Sequence, residues 1–377
     1  MTRRRSRSRR RGAAKIAGAN AAGLLAILVA AELVFGNWIF GPEFGFLNIR
    51  HGERHRLDVS EFIPGGGIIT YTRDEYGLRG DYGGDPKNID ILVIGGSTTN
   101  ERFIDDADIW TARLQENFER AGAPVKIANG GIDGQSSRGH IKAFELWFPG
   151  IPGLKPKFVL AYTGINDTAV GGAADPKFDD MKSPELLRRL RHYVMNHSVL
   201  YNQFRQIRGI FKARDAKLMH GGNSFKGGVW TPVNDFTDLA KLKTEQAGRL
   251  GGYRRRLETL AGAIRDFGAE PIFVTQPVGE FKIAQGRLLK LMQPSDLAKD
   301  SRVSDGLLKT MNLFNGVTLA ACAKLKARCT DLARRIQFKD GDFYDALHTT
   351  PAGSKRIADF LFAALEAPVR AAIKPGK

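Results

Sequence analysis

The stretch Ile89-Asp90-Ile91-Leu92-Val93-Ile94-Gly95-Gly96-Ser97 gives the rest of the chain its meaning. A short apolar run bounded by turn residues has the length and branching of a buried strand. Two glycines and a serine at its end allow a sharp strand-to-helix turn and close approach of another backbone. Similar runs recur at Val125 to Ala128, Phe158 to Tyr162 and Pro271 to Thr275. Helical periodicity separates or follows them at Trp110 to Ala121, Ser137 to Phe148, Leu239 to Phe267, Ser304 to Lys326 and Pro351 to Leu365. Strand-helix alternation predicts an α/β fold, a three-layer α/β/α sandwich around a mostly parallel central sheet.

In such sheets ligands gather at the carboxyl ends of the strands, and the chemistry-bearing residues lie there. Ser97 follows the first run through Gly95 and Gly96. Taken alone it reads as a helix N-cap. A phosphate loop is excluded by the missing lysine of Gly-x4-Gly-Lys-Ser/Thr, and the Gly-x-Ser-x-Gly elbow fails because Thr99 replaces its second glycine. Asn129-Gly130-Gly131-Ile132-Asp133-Gly134 follows the second run, either as a simple turn or as a loop presenting a glycine N–H to a developing oxyanion. Gly164-Ile165-Asn166-Asp167 follows the third. The Asn166 amide is a donor for a tetrahedral intermediate or the centre of an Asx turn, with Asp167 capping the next segment. Near the C-terminus, Asp345 and His348 stand three apart in a polar loop. That spacing brings a carboxylate to one imidazole nitrogen and leaves the other to accept a serine proton. His51 and His55 lack a third ligand nearby, so no metal site is expected.

With these segments in this order, the chain resembles the SGNH hydrolase superfamily, the GDSL esterases and lipases, from about Ile89 to Leu365. The stretch His348-Thr349-Thr350-Pro351-Ala352-Gly353 is similar to the family's sequence after its catalytic histidine. The resemblance implies a flavodoxin-like sandwich, with Ser97 as nucleophile and His348 and Asp345 completing the triad. It also implies an oxyanion hole of the Ser97 amide, Gly134 and Asn166. Gly95, Gly96, Asn129, Gly164 and Asp167 support these groups, and no cofactor is needed. Gly96 stands where the family usually has aspartate. The implied activity is hydrolysis of an ester, on an acylated glycan or a lipid. Two alternatives stand beside it: an O-acyltransferase on a cell-envelope polysaccharide, and a silent envelope protein that binds glycan or a partner.

The formal net charge is +17, of which eight positive charges (Arg3, Arg4, Arg5, Arg7, Arg9, Arg10, Arg11 and Lys15) precede residue 16, leaving +9 for the rest. No nucleic-acid motif accompanies the excess, so nucleic acid is not an expected partner. Between Ile16 and Gly41 the one ionisable residue is Glu32. That run is long enough to span a bilayer, and the arginines predict that its N-terminal side stays in the cytoplasm. An uncleaved anchor is favoured because Leu33-Val34-Phe35 and Trp38-Ile39-Phe40 continue the apolar run; a cleaved signal ending near Val29-Ala30-Ala31 is the alternative. Either way the remainder is exported, periplasmic or at the cell surface. Cys322 and Cys329 then form a disulfide or remain as small buried side chains. The expected organisation is a basic tail (1–15), a membrane segment (16–42), a juxtamembrane connector with short strands (43–88) and a hydrolase-like domain (89–370). An insertion at 170–238 within that domain is read either as a lid over the site or as a peripheral excursion.

Overall fold

The computed structural model describes residues 2–36, 38–39, 49–61, 63, 65–170, 186, 190, 193–194, 197–201, 203–204, 228–233, 239–284, 287–292 and 306–373. The chain divides into two units, Met1–Asn48 with Ser183–Met219, and Ile49–Lys182 with His220–Lys377. In the first, helix α1 (Thr2–Phe35) contains Lys15–Phe35, a segment long and apolar enough to cross a membrane as an anchor or to serve as a signal sequence. Glu32, the one acidic residue of that segment, is satisfied locally. Its carboxylate accepts the Ser198 hydroxyl at 2.6 Å, Trp38 Nε1 at 2.7 Å and the Val199 and Leu200 N–H groups at 3.2 Å. Four donors offset the cost of holding a carboxylate among apolar side chains.

The second unit is built on five parallel strands. In chain order they are β3 (Ile91–Gly95), β4 (Ile127–Asn129), β5 (Phe158–Tyr162), β7 (Glu270–Val274) and β10 (Arg328–Thr330). Their spatial order is β10-β7-β5-β3-β4. The chain steps from β3 to one edge and returns across β3 to β5, so strand order reverses between those two. Such a reversal opens a crevice beyond the strand ends. Gly95 pairs with Tyr162 in the parallel register, which sets the carboxyl ends of β3 and β5 level.

Side-chain alternation divides the core between the sheet faces. Ile91, Val93, Phe158, Leu160, Ile272 and Val274 pack in one cluster with helices α3 (Trp110–Arg120) and α9 (Pro351–Ala372). The intervening residues Leu92, Ile94, Val159, Ala161 and Phe273 are also buried. The remaining long helices are α4 (Ser137–Leu146), α6 (Ala247–Asp266) and α7 (Gly306–Leu325), of which α6 packs against both α4 and α7. A single turn, α8 (Leu332–Arg335), follows β10 and buries Leu332 in the same cluster as α3 and α9. The expected three-layer parallel α/β architecture is the observed one.

Differences from the sequence expectation have physical causes. Strand β10 is three residues long with Arg328 and Cys329 exposed, so it carries no apolar run. The long helix expected from Leu239 breaks at Gln246 into α5 (Leu239–Glu245) and α6. Helix α9 runs past its expected end at Leu365 and through Pro368, anchored by the buried Val369. Of the two expectations for Cys322 and Cys329, the disulfide is the observed one, linking α7 to β10. Residues 49–88 include an antiparallel hairpin, β1 (Glu53–Asp58) with β2 (Ile68–Arg73), and two buried arginines, Arg73 and Arg79. Arg79 pairs with Asn129 beside β4. Of the 170–238 stretch, β6 (Val229–Pro232) joins β8 (Phe281–Ala284) and β9 (Arg287–Met292) in a small antiparallel sheet. Gly171, Gly172 and 221–227 lie outside the described residues, as does most of the expected basic helix from 187 to 214.

Candidate active site

Ser97 opens α2 (Ser97–Asn100), a single helical turn directly after β3. So short a helix contributes little macrodipole, and negative charge developing beside it must be met by individual N–H groups. Ser97 Oγ lies 2.8 Å from His348 Nε2. On the far side of the ring, His348 Nδ1 is 2.7 Å from Asp345 Oδ2 and 2.9 Å from Oδ1. The carboxylate assigns the proton to Nδ1, so Nε2 presents its lone pair to the serine hydroxyl.

The loop carrying these two residues is held from several sides. Asp345 Oδ1 also accepts the Leu347 and His348 N–H groups, at 2.8 and 2.7 Å, which folds the four-residue segment around its own carboxylate. Phe343 and Thr349 form an antiparallel bridge, and Tyr344 N donates to His348 O at 3.0 Å. The Tyr344 ring lies nearly parallel to the imidazole, with centroids 5.7 Å apart. Beyond the loop, Thr350 caps α9 with Pro351 in its first turn, as the sequence signals.

The N–H groups singled out in the sequence as oxyanion donors lie on three loops. The Ser97 and Gly134 N–H groups have no acceptor among the described residues. Asn166 sits beyond β5 in a 3-10 turn that starts after Gly164, whose φ of +136° only glycine adopts without strain. Asn166 Nδ2 donates to Gln135 O at 3.0 Å. The same nitrogen would lie 2.2 Å from a Cβ placed on Gly96. A side chain at position 96 would therefore displace the Asn166 amide from its present position.

Behind these loops lies a buried polar brace. Asp167 accepts Ser137 N at 3.1 Å and the Ser137 hydroxyl, and pairs with Arg256 from α6 at 3.1 Å. The expected capping role of Asp167 is thus directed to α4 across the crevice. Burial raises the Asp167 carboxyl above its ordinary range, opposed by the Ser137 hydrogen bond and the Arg256 charge. Asn129 is fully buried and links Thr99 O, at 2.7 Å from its Nδ2, to Gly131 N, at 2.9 Å from its Oδ1. Gln276 and Glu101, neither singled out by sequence, also hold the loops. Gln276 accepts Ile165 N at 2.7 Å and donates to Thr98 Oγ1 at 2.8 Å, so it spans the β3 and β5 loops. Nearby, His140 is buried with Nδ1 on Gln135 Oε1 at 2.9 Å and Nε2 without a partner among the described residues; burial lowers its pKa to about 3, keeping the ring neutral.

No protein-family model matches the sequence, and no curated protein does. Solved structures similar to the chain include TesA, at 15% identity over 74% of this chain and 98% of that one with a TM-score of 0.39. Another is a catalytic mutant of Axe2, an acetylxylan esterase from Geobacillus stearothermophilus, at 13% identity over 72% and 92% with a TM-score of 0.40. A third is the psychrotrophic esterase EstA from Pseudoalteromonas sp., at 10% identity over 74% and 97% with a TM-score of 0.37.

Proposed function

We propose that the chain is an exported serine ester hydrolase of the SGNH (GDSL) type, held at the membrane by α1 with its catalytic unit outside the cytoplasm. One observation carries the reading: hydroxyl, imidazole and carboxylate stand in hydrogen-bonded sequence at the crevice where strand order reverses. Ser97 Oγ attacks the ester carbonyl as its proton passes to His348 Nε2, and Asp345 stabilises the imidazolium. The Ser97 and Gly134 N–H groups and the Asn166 amide receive the oxyanion. His348 then protonates the departing alkoxide, and water, deprotonated by the same nitrogen, releases the acid from Ser97. Apolar Leu347 packs with Ile165, Val278 and Met311, a cluster adjoining both His348 and Asn166 in sequence. Esters on acylated glycans or lipids are the substrate class we assign to this site. Export is supported by the arginine-flanked apolar helix and by the Cys322–Cys329 bridge, a bond that oxidising compartments sustain.

The test is covalent. A fluorophosphonate probe incubated with the full chain is expected to label it once, with the adduct on the peptide containing Ser97. Failure to label, together with no hydrolysis of p-nitrophenyl acetate or butyrate, would reject the assignment. Asn166→Ala is expected to lower kcat by on the order of 10²–10³ without changing the melting temperature, as loss of one oxyanion donor does elsewhere. An unchanged kcat would remove Asn166 from the hole. Gly96→Ala forces the Asn166 amide away from its present position. A displacement near 1 Å costs up to about 10²-fold in rate, so kcat should fall while KM changes little.

A further inference from the structure

Glu101 closes the turn that Ser97 begins. Its N–H donates to Ser97 O at 2.8 Å, and its backbone takes φ +47° and ψ +51°, a left-handed conformation rare for residues other than glycine. The side chain is buried and turns toward the loop that carries His348. Oε1 accepts the Thr349 hydroxyl at 2.7 Å and the Ser354 hydroxyl, and Oε2 accepts Trp110 N at 2.7 Å. Thr349 adjoins His348 in sequence, Ser354 lies in the first turn of α9, and Trp110 opens α3. One carboxylate therefore connects the nucleophile's turn, the histidine's loop and the ends of two helices.

We propose that Glu101 is a positioning residue whose ionised carboxylate clamps the His348 loop to the Ser97 turn, and that its protonation loosens the clamp. This rests on the esterase reading above. Bonds to an ionised acceptor are roughly twice as strong as neutral ones. Protonation removes the negative charge that these three donors share and adds an O–H for which the Trp110 N–H offers no acceptor. The groups facing the carboxylate favour a readily gained proton. No cation makes an ion pair with it among the described residues. Arg79 reaches only its backbone oxygen, at 3.2 Å, and is itself paired with Asp106 at 2.6 Å. Tyr162 from β5 and Tyr344 from the histidine loop lie within its field, and both phenols are pushed up, chiefly by burial, so they stay neutral. α3 contributes the Trp110 amide and α9 the Ser354 hydroxyl. Burial raises the Glu101 pKa to about 7, against the opposing pull of Ser354, Thr349, Trp110 and Arg79.

The sign gives a signature that simple structural support lacks. A carboxyl whose folded pKa exceeds its unfolded value of 4.5 contributes stability that is full below 4.5 and lost as pH rises through about 7. Reactivity of Ser97 moves the other way, rising as Glu101 ionises.

The experiment measures the second-order rate of fluorophosphonate labelling of the full chain, and its melting temperature, from pH 5.5 to 9. It compares wild type, Glu101→Gln and the double variant Thr349→Val/Ser354→Ala. In wild type the acid limb of the rate is expected to carry two protons, one with a midpoint near 7. In Glu101→Gln it carries one, labelling at pH 8 slows by roughly 10- to 100-fold, and the decline in melting temperature with rising pH becomes shallower. The double variant keeps the charge and removes two donors, so it serves if Glu101→Gln does not fold; its labelling slows by a similar factor. Folded variants that label at the wild-type rate with the wild-type pH profile overturn the inference alone. A wild type that does not label overturns the esterase reading, and the inference with it.

Discussion

Replacing Ser97 by alanine is expected to abolish labelling and to lower kcat for short p-nitrophenyl esters by on the order of 10⁴–10⁶, because the triad acts as a unit. On the proposed mechanism, removing the hydroxyl deletes the attacking atom, and it also removes the 2.8 Å contact to His348 Nε2. His348→Ala should therefore cost about as much, and the double variant little more than either single one. Asp345→Asn tests a different step. It preserves the shape of the contact to Nδ1 but favours the wrong tautomer, and a loss of about 10⁴ is the expectation. Two of the bonds to Asp345 Oδ1 come from backbone N–H groups, so the loop should survive that change. The readouts are kcat from initial rates and the fraction labelled at saturation. Melting temperatures should stay near wild type for Ser97→Ala, since the hydroxyl holds no other segment among the described residues. A Ser97→Ala protein that turns over esters at the wild-type rate would place the chemistry elsewhere.

How much of this was legible in the sequence depends on what kind of constraint each residue obeys. The strands β3 and β5 read clearly because both faces of each are buried, which demands an unbroken apolar run. Asp345 and His348 could be paired from spacing because their contact is local, three residues apart. The convergence of residues 97 and 348, 251 positions apart, is not a local property; it could be anticipated only from the order of the four segments. Glu101 and Gln276 were invisible for the same reason. A glutamate after a helical turn and a glutamine after a strand are ordinary surface residues by composition, and only folding buries them. Arg79 was equally hard to foresee: nothing in its glycine-rich stretch signals that its guanidinium is buried beside the turn after Ser97. Strand β10 escaped because an edge strand of three residues needs no apolar pattern.

The second large effect concerns stability. Arg256→Ala is expected to lower unfolding free energy by about 3–5 kcal/mol, because it leaves the buried Asp167 carboxylate without its cation and with only the two Ser137 hydrogen bonds to compensate it. Against the usual 5–15 kcal/mol for a domain, that is a large share. Both side chains are inaccessible to solvent, so water cannot substitute for the lost guanidinium. The carboxyl already sits above its ordinary range through burial, and removing the cation moves it further in that direction. Alanine at 256 also opens a cavity, so Arg256→Met is the cleaner comparison, and Asp167→Leu/Arg256→Met the decisive one. Replacing both partners by apolar groups of similar volume removes the stranded charge, and the double variant should recover most of the stability lost by Arg256→Met. Activity should not recover with it. Asp167 follows Asn166 directly and grips the first residue of α4, so its carboxylate fixes the distance between the amide-bearing loop and the Gly134 loop. Urea denaturation of the three proteins, read beside kcat, separates the two roles. Parallel recovery of both would mean that the pair serves packing alone, and that the oxyanion donors are aligned by Gln276 and the backbone without it.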